Sequence, residues 1–357
     1  MILLQLNKVC VVLWILICSA TLWGCQTVHY YSQAIDGQCR ILFKRQPISK
    51  IIADPASPQG LRERLMFILK VREFAENELQ LPVSDHYLTY VDITRPFVLW
   101  NVFAAPEFSL TPKTWCYPFA GCAAYRGYFA VTNARQYADR LSKQGYDVYV
   151  GGVTAYSTLG WFDDPVLSTF IRFPDARLAA LIFHELAHQV LYVKDDTAFN
   201  ESFATFVEQE GLRRWQHASG SEQIYSEYLR QHRRREQFIQ LVMHYRQKLE
   251  LLYQTDLTPL EKRERKAIIF SELRIEFNHL KSRQNELSAY DVWMNHSLNN
   301  AKISSVVAYH DFLPAFQNML TRNMGEMNQF FEACRQLVQK NKDERHQILE
   351  SYMANKE

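Results

Sequence analysis

Two histidines four residues apart, with a glutamate directly after the first, are the side chains of this sequence best suited to activating water. His184, Glu185 and His188 stand in Leu181-Ile-Phe-His-Glu-Leu-Ala-His-Gln-Val190, a run of good helix formers. On a helix, positions i and i+4 share a face, so both imidazoles can grip one cation while Glu185 stands beside it. Zinc suits imidazole, and a catalytic zinc takes three protein ligands plus one open position. A third ligand is therefore required. Glu201 is the candidate, in Thr197-Ala-Phe-Asn-Glu-Ser-Phe-Ala-Thr-Phe-Val-Glu208, a second helical pattern with Ala204, Thr205 and Glu208 on the same face. The polar Lys194-Asp-Asp196 between the two patterns can reverse the chain, and Ala187 and Ala204 let two helices approach closely.

The expected cofactor is one zinc ion per chain, held by His184, His188 and Glu201. Such an ion lowers the pKa of its water to about 7, and Glu185 takes the proton as attack on a peptide carbonyl begins, returning it later to the leaving amine. A metal-bound imidazole needs a partner for its other nitrogen, and Glu208 or Asp196 is of the right type, with a surface or capping role as the alternative. The tetrahedral intermediate needs a donor for its oxyanion, and Tyr156, Tyr309 and His310 have the chemistry for it. Tyr156 and His310 are carried forward as catalytic candidates beside Glu185; His310 lies in a polar break, Ala308-Tyr-His-Asp311, within apolar helix. Asn299 and Asn300 suit either substrate backbone or helix capping.

Several elements must position these groups. Leu61 to Leu79 repeats apolar residues at helical spacing, whereas Tyr87 to Gly152 changes to short β-rich runs such as Phe97 to Val102 and Tyr146 to Val150, with a helix-like Ala134 to Gly145 between. Tyr156 to Pro165 is an aromatic, turn-rich loop of the kind that lines clefts. Downstream of Ala176 helix formers dominate, including amphipathic stretches at Phe238 to Tyr253 and Leu260 to Leu280. The expected fold class is α+β: a zincin-like metallopeptidase domain with a small β-sheet and two metal-bearing helices, followed by a mainly helical C-terminal region. In residues this divides as 1–24 signal peptide, 25–60 arm and linker, 61–211 catalytic domain and 212–357 helical region completing the cleft.

The N-terminus carries a targeting pattern. Lys8 is the only charge of the first two dozen residues, and Val9 to Trp23 is a nearly continuous apolar run. It is short of the roughly 20 residues that cross a bilayer as a helix and fits a secretory signal. The run ends in Leu22-Trp23-Gly24-Cys25, which resembles a bacterial lipobox, with Trp23 bulkier than usual there. Cys25 would then be lipidated and hold the protein at a membrane; an uncleaved anchor is the alternative. Gln26 follows, where an aspartate would retain the protein in the inner membrane, so the expected location is the bacterial envelope, on the periplasmic face of the outer membrane. A disulfide is permitted in that compartment, and Cys116 and Cys122 enclose a turn-rich segment, either bridged or as two buried thiols. Forty basic against thirty-eight acidic side chains give a net charge of +2, which argues against nucleic acid as a partner.

Asn200-Glu201-x-x-Ala204 looks like the block that supplies the glutamate ligand in the aminopeptidase N family, at a shorter spacing from the histidines. That family's Gly-Ala-Met-Glu-Asn segment, which binds the substrate amine, is absent; Glu107 in Ala105-Pro-Glu-Phe108 is the candidate substitute. More closely, the chain resembles a family of bacterial lipoproteins described as zinc aminopeptidases. The resemblance is carried by Tyr149 to Pro165, the metal segment through Gly211, Leu298-Asn-Asn-Ala301, Ala105 to Phe108 and Tyr125-Arg-Gly-Tyr128. It implies a zinc peptidase acting on peptide substrates, with aminopeptidase action inherited from the family and not from the residues. The alternatives are a zinc endopeptidase, a non-peptide amide hydrolase, and a catalytically silent envelope lipoprotein that only binds peptides. Oligomeric state is not legible.

Overall fold

A computed structural model describes residues 27–117, 121–158, 162–220, 222–284, 287–306 and 312–354. Cys25 and the apolar run before it lie outside the described residues, as does His310 with its neighbours 307–311.

The first element is a helix over 27–43, here α1, in the segment expected to be arm and linker. It is followed by β1 (Gln46–Pro47), α2 (Ile48–Ala53) and α3 (Gln59–Asn77), the last matching the amphipathic pattern expected from Leu61. Then come β2 (Thr89–Val91), β3 (Leu99–Pro106), β4 (Trp115–Tyr117), β5 (Gly121–Ala123), β6 (Arg126–Tyr128), α4 (Val131–Lys143), β7 (Tyr146–Val153) and β8 (Val166–Leu167). Helices fill the rest: α5 (Asp175–Val190), α6 (Thr197–Ser219), α7 (Glu222–Tyr253), α8 (Pro259–Gln284), α9 (Asp291–Asn295), α10 (Asn300–Ser304), α11 (Leu313–Arg322), α12 (Met327–Val338) and α13 (Lys342–Ala354). The result is a mixed α+β fold, mostly helical, with small sheets. Among the described residues no helix is long and apolar enough to cross a membrane.

The small sheet is divided. β6, β3 and β7 form an antiparallel sheet with β3 in the centre, and α4 packs on it through Ala134, Tyr137, Ala138 and Leu141. β1, β2 and β8 form a second sheet, antiparallel then parallel, and β4 with β5 makes a hairpin. Cys116 and Cys122 are direct cross-strand partners in that hairpin and are joined by a disulfide.

The largest core explains why α5 and α6 sit where they do. It runs from Ile41 to Leu349 and contains Phe183 and Ala187 of α5, Phe199, Phe203 and Phe206 of α6, and Phe316, Phe330 and Phe331 of α11 and α12. Phe203 lies 5.7 Å from Phe316 and 6.0 Å from Phe330 between ring centroids. Each buried phenylalanine contributes about 1.5–3 kcal/mol of transfer free energy, so α6 is fixed from behind by a layer the local sequence does not advertise. The boundary expected after Gly211 falls inside α6, which continues to Ser219 and ends on Gly220, left-handed at φ 66°. Gly211 is needed there because a β-carbon would stand 2.7 Å from Phe183 and 2.9 Å from Leu79. A separate core joins α7 and α8 through Phe238, Tyr245, Leu249, Phe270 and Phe277.

Candidate metal centre

α5 begins after Pro174 with Asp175 in its first turn, where a carboxylate complements the helix dipole. It then buries Ala179, Ile182, Phe183, Leu186 and Ala187, which rotates His184 and His188 onto the opposite face, toward α6. The chain leaves α5 at Leu191 in an extended conformation and turns back over 192–196. Asp196 closes that turn as the N-cap of α6, accepting from the Phe199 amide. Asn200 clamps it from the other side: its Oδ1 accepts from the Val193 amide at 2.8 Å and its Nδ2 donates to the Val193 carbonyl at 2.7 Å. These two residues set the register that brings Glu201 opposite the histidines, and Ala187 with Ala204, both fully buried, lets the helices close.

His184, His188 and Glu201 meet. Their candidate ligand atoms all lie within 4.8 Å of one another. His184 Nε2 is 3.4 Å from one Glu201 oxygen, and His188 Nε2 is 3.8 Å from the other. Tetrahedral bonds of about 2.1 Å to a central ion hold ligand atoms about 3.4 Å apart, so little adjustment is needed for an ion to sit among them. Two imidazoles and a carboxylate form a triad able to hold a metal ion.

Glu208, one of the two residues expected to orient an imidazole, does so. His184 Nδ1 lies 3.0 Å from Glu208 Oε2, which places the proton on Nδ1 and leaves Nε2 facing Glu201. The other Glu208 oxygen accepts from the Tyr228 hydroxyl at 2.9 Å, a contribution from α7. Asp196 takes the capping role instead, bound to Arg345 and His346 of α13. His188 Nδ1 is buried with no hydrogen-bond partner among the described residues. Because Glu208 fixes His184, Glu208→Ala is expected to weaken metal affinity about 10–100-fold with helix content unchanged. Competition against a chelating dye, read beside circular dichroism, measures this.

Electrostatics separate the four groups. Burial opposes a charge on His184, but hydrogen bonds to Glu201 and Glu208 and their negative charge outweigh it and raise its pKa to about 10. His188 is lowered to about 4 by burial and then by the charge of His184. Burial pushes Glu201 up, yet its contact with His184 and the neighbouring charges leave it below the ordinary glutamate value. Glu185 is raised to about 7, by burial first, with Glu201, Asp164 and Glu208 adding to the effect against the attraction of His184.

Tyr156 donates its hydroxyl to Gln38 of α1, and its charged neighbours are Asp164 and Arg45. Asp164 folds the loop from Tyr156 by accepting from Ser157 Oγ at 3.0 Å and Thr158 Oγ1 at 2.8 Å. Asn299 caps α10 and donates to the Val148 carbonyl, while Asn300 reaches the carbonyls of Pro106, Glu107 and Ser109. Both therefore tie α10 to the sheet. Glu107 is held by Arg263 through two bonds of 2.6 and 2.9 Å.

Three tyrosines near the centre were not among the site residues expected from the sequence, although Tyr125 stands in one of the segments that carry the family resemblance. Tyr125 and Tyr192 both have Glu201 as an electrostatic neighbour, and Tyr192 lies against His188 with centroids 6.2 Å apart. Tyr228 comes from a helix about twenty residues beyond Glu208, too distant for a local motif to reveal. Tyr192 follows His188 at helical spacing, which is a cue that was available. No curated protein and no solved structure matches the chain. The sequence model of the family described as "Putative aminopeptidase" matches residues 29–349. With nearly its whole length matched and a triad able to hold a metal ion on paired helices, the chain belongs to that family.

Proposed function

We propose that the protein is a zinc-dependent peptidase with a zincin-like centre, in which His184, His188 and Glu201 hold the metal and Glu185 is the general base. The observation that carries this reading is the convergence of two α5 imidazoles and one α6 carboxylate within 4.8 Å, with Glu185 an electrostatic neighbour of His184 and Glu201. The donor set fits a catalytic zinc, which takes three protein ligands of these types and leaves one position open. When bound, such an ion supplies Lewis acidity toward water and the scissile carbonyl. Glu185 accepts the proton that the attacking water loses and delivers it to the departing amine. Glu208 and Tyr228 hold the His184 ring, and Tyr125 and Tyr192, electrostatic neighbours of Glu201, are further hydroxyls of the type that donates to developing negative charge. His310 remains a candidate for that donation, whereas the Tyr156 hydroxyl is already given to Gln38.

The family supports removal of N-terminal residues. One observation favours an endopeptidase as the second reading: Glu107, the carboxylate offered for the substrate amine, is already neutralised by Arg263. β7 is an edge strand whose Val148 carbonyl is taken by Asn299, so in either case an extended peptide can pair only along the rest of it. Lipidation at Cys25 and a place at the outer membrane complete the proposal, resting on the sequence alone.

The purified protein is expected to carry one zinc per chain by elemental analysis. Chelation should abolish hydrolysis and zinc restore it. A panel of free and N-acetylated peptides separates the two readings, since an aminopeptidase leaves the acetylated set intact. Absence of zinc together with undiminished hydrolysis after chelation would refute the metal mechanism.

A further inference from the structure

α1 presents two unlike faces. Its inner face packs on the protein: Tyr30 stacks on Tyr117, Gln33 accepts from the Phe129 amide, and Gly37 lies so close to Phe129 that a β-carbon would stand 2.1 Å from the ring. Its outer face carries Val28, Tyr31, Ile35 and Phe43, exposed by 67, 37, 63 and 88%. At 100° per residue these four fall within one sector about 120° wide, which also holds the partly buried Cys39 and Leu42. Ser32 lies inside that sector, and Asp36 and Arg40 flank it. An apolar stripe of this size on a helix that is otherwise well packed marks an interaction surface.

We infer that this face of α1 lies on a phospholipid bilayer, parallel to the membrane plane, and fixes the orientation of the protein on it. Position is the first argument. The described part of α1 starts at residue 27, directly after the apolar run Val9 to Trp23 and Cys25 of the sequence. Whether that run is cleaved and Cys25 acylated, or the run is kept, the covalent start of α1 is held at a membrane. Charge is the second. From residue 27 to residue 50 there are four basic side chains, Arg40, Lys44, Arg45 and Lys50, against one acidic, Asp36. Arg40 pairs with Asp36 and Arg45 donates to the Asp163 carbonyl, so the exposed Lys44 and Lys50 supply the attraction for anionic headgroups. Geometry is the third: with the inner face buried in protein, α1 can sink only its outer stripe, about 5–10 Å deep, which is how an interfacial helix binds. Tyr31 and Phe43 then flank the contact with rings suited to the headgroup boundary.

The test places a photoreactive benzoylphenylalanine at Phe43, at Ile35, and, as a reference, at Val292, which is 72% exposed on α9. The full chain is incorporated in vesicles of phosphatidylethanolamine and phosphatidylglycerol and illuminated, and adducts are read by mass. Phospholipid adducts about tenfold more abundant at positions 43 and 35 than at 292 are expected for an inserted stripe. Adducts to a second copy, to residues 1–26 of the same chain, to no partner, or equally to lipid at all three positions would each overturn the inference. Because the readout does not involve turnover, failure here is separate from failure of the peptidase reading.

Discussion

Glu185→Gln is expected to retain zinc and lose hydrolysis by about a hundredfold to ten-thousandfold, the range that general acid-base catalysis contributes. The reasons are geometric and chemical. The three groups whose atoms converge are His184, His188 and Glu201; Glu185 is not among them, so replacing it removes no metal contact. Glutamine has the same shape but cannot accept a proton from water or pass one to an amine. Burial has already made Glu185 easier to protonate than an ordinary glutamate, and a neutral amide therefore adds no buried charge and should not disturb the fold. The measurement pairs elemental analysis with single-turnover hydrolysis of the best peptide from the panel. A variant that cleaves as well as the parent removes Glu185 from the mechanism, and one that loses zinc as well makes it a ligand instead.

The largest effect on stability is expected at Asp196. Its carboxylate is 1% exposed and holds Arg345, itself 3% exposed, at 2.7 and 2.8 Å, with His346 at 2.9 Å and the Phe199 amide at 3.3 Å. Asp196→Ala strands the Arg345 guanidinium in the core, a loss of about 3–5 kcal/mol for a broken buried pair. Loss of the N-cap of α6 adds about 1 kcal/mol. The double variant Asp196→Ala with Arg345→Met should cost clearly less than the sum, because the unpaired charge leaves with its partner. Denaturant melts of the single and double variants test this, and strict additivity would show that the pair is not coupled.

A pH dependence follows with a definite sign. Burial alone would raise the Asp196 pKa, but His346, Arg345 and the Phe199 amide together hold it below the ordinary aspartate value. A carboxylate depressed in the folded state stabilises above its unfolded pKa of about 4 and loses that contribution as the pH falls through its folded value. Acid should therefore loosen α13 from the turn at 192–196. That turn also sets the register of Glu201, so metal occupancy is expected to fall with it.

Much of the centre was legible in the residues because its chemistry is local. His184, Glu185 and His188 share one helix, and four-residue spacing alone puts the two imidazoles on one face. Glu201 was legible for a related reason: a short polar reversal joins two helical patterns whose small residues, Ala187 and Ala204, both end up fully buried. Helices α3, α4, α7 and α8 were also marked by their periodicity. Assignments that depended on what comes near in space were not legible. Sequence could not decide between Glu208 and Asp196, because the choice rests on whether each faces α5 or α13. Nor could it show Tyr228 reaching Glu208 from α7, Gln38 taking the Tyr156 hydroxyl, or Arg263 occupying Glu107.

The sequence by itself thus determined a group of side chains able to hold a metal ion and the helices that carry it, since spacing along a helix fixes which side chains share a face. Only the tertiary structure decided which carboxylate orients His184, which carboxylate is buried as an ion pair, and that α6 is braced by α11 and α12. Those outcomes depend on packing between segments up to about 150 residues apart, as with Asp196 and Arg345. Side-chain partners at that range are chosen by the shape and burial of the whole core, which no local pattern encodes.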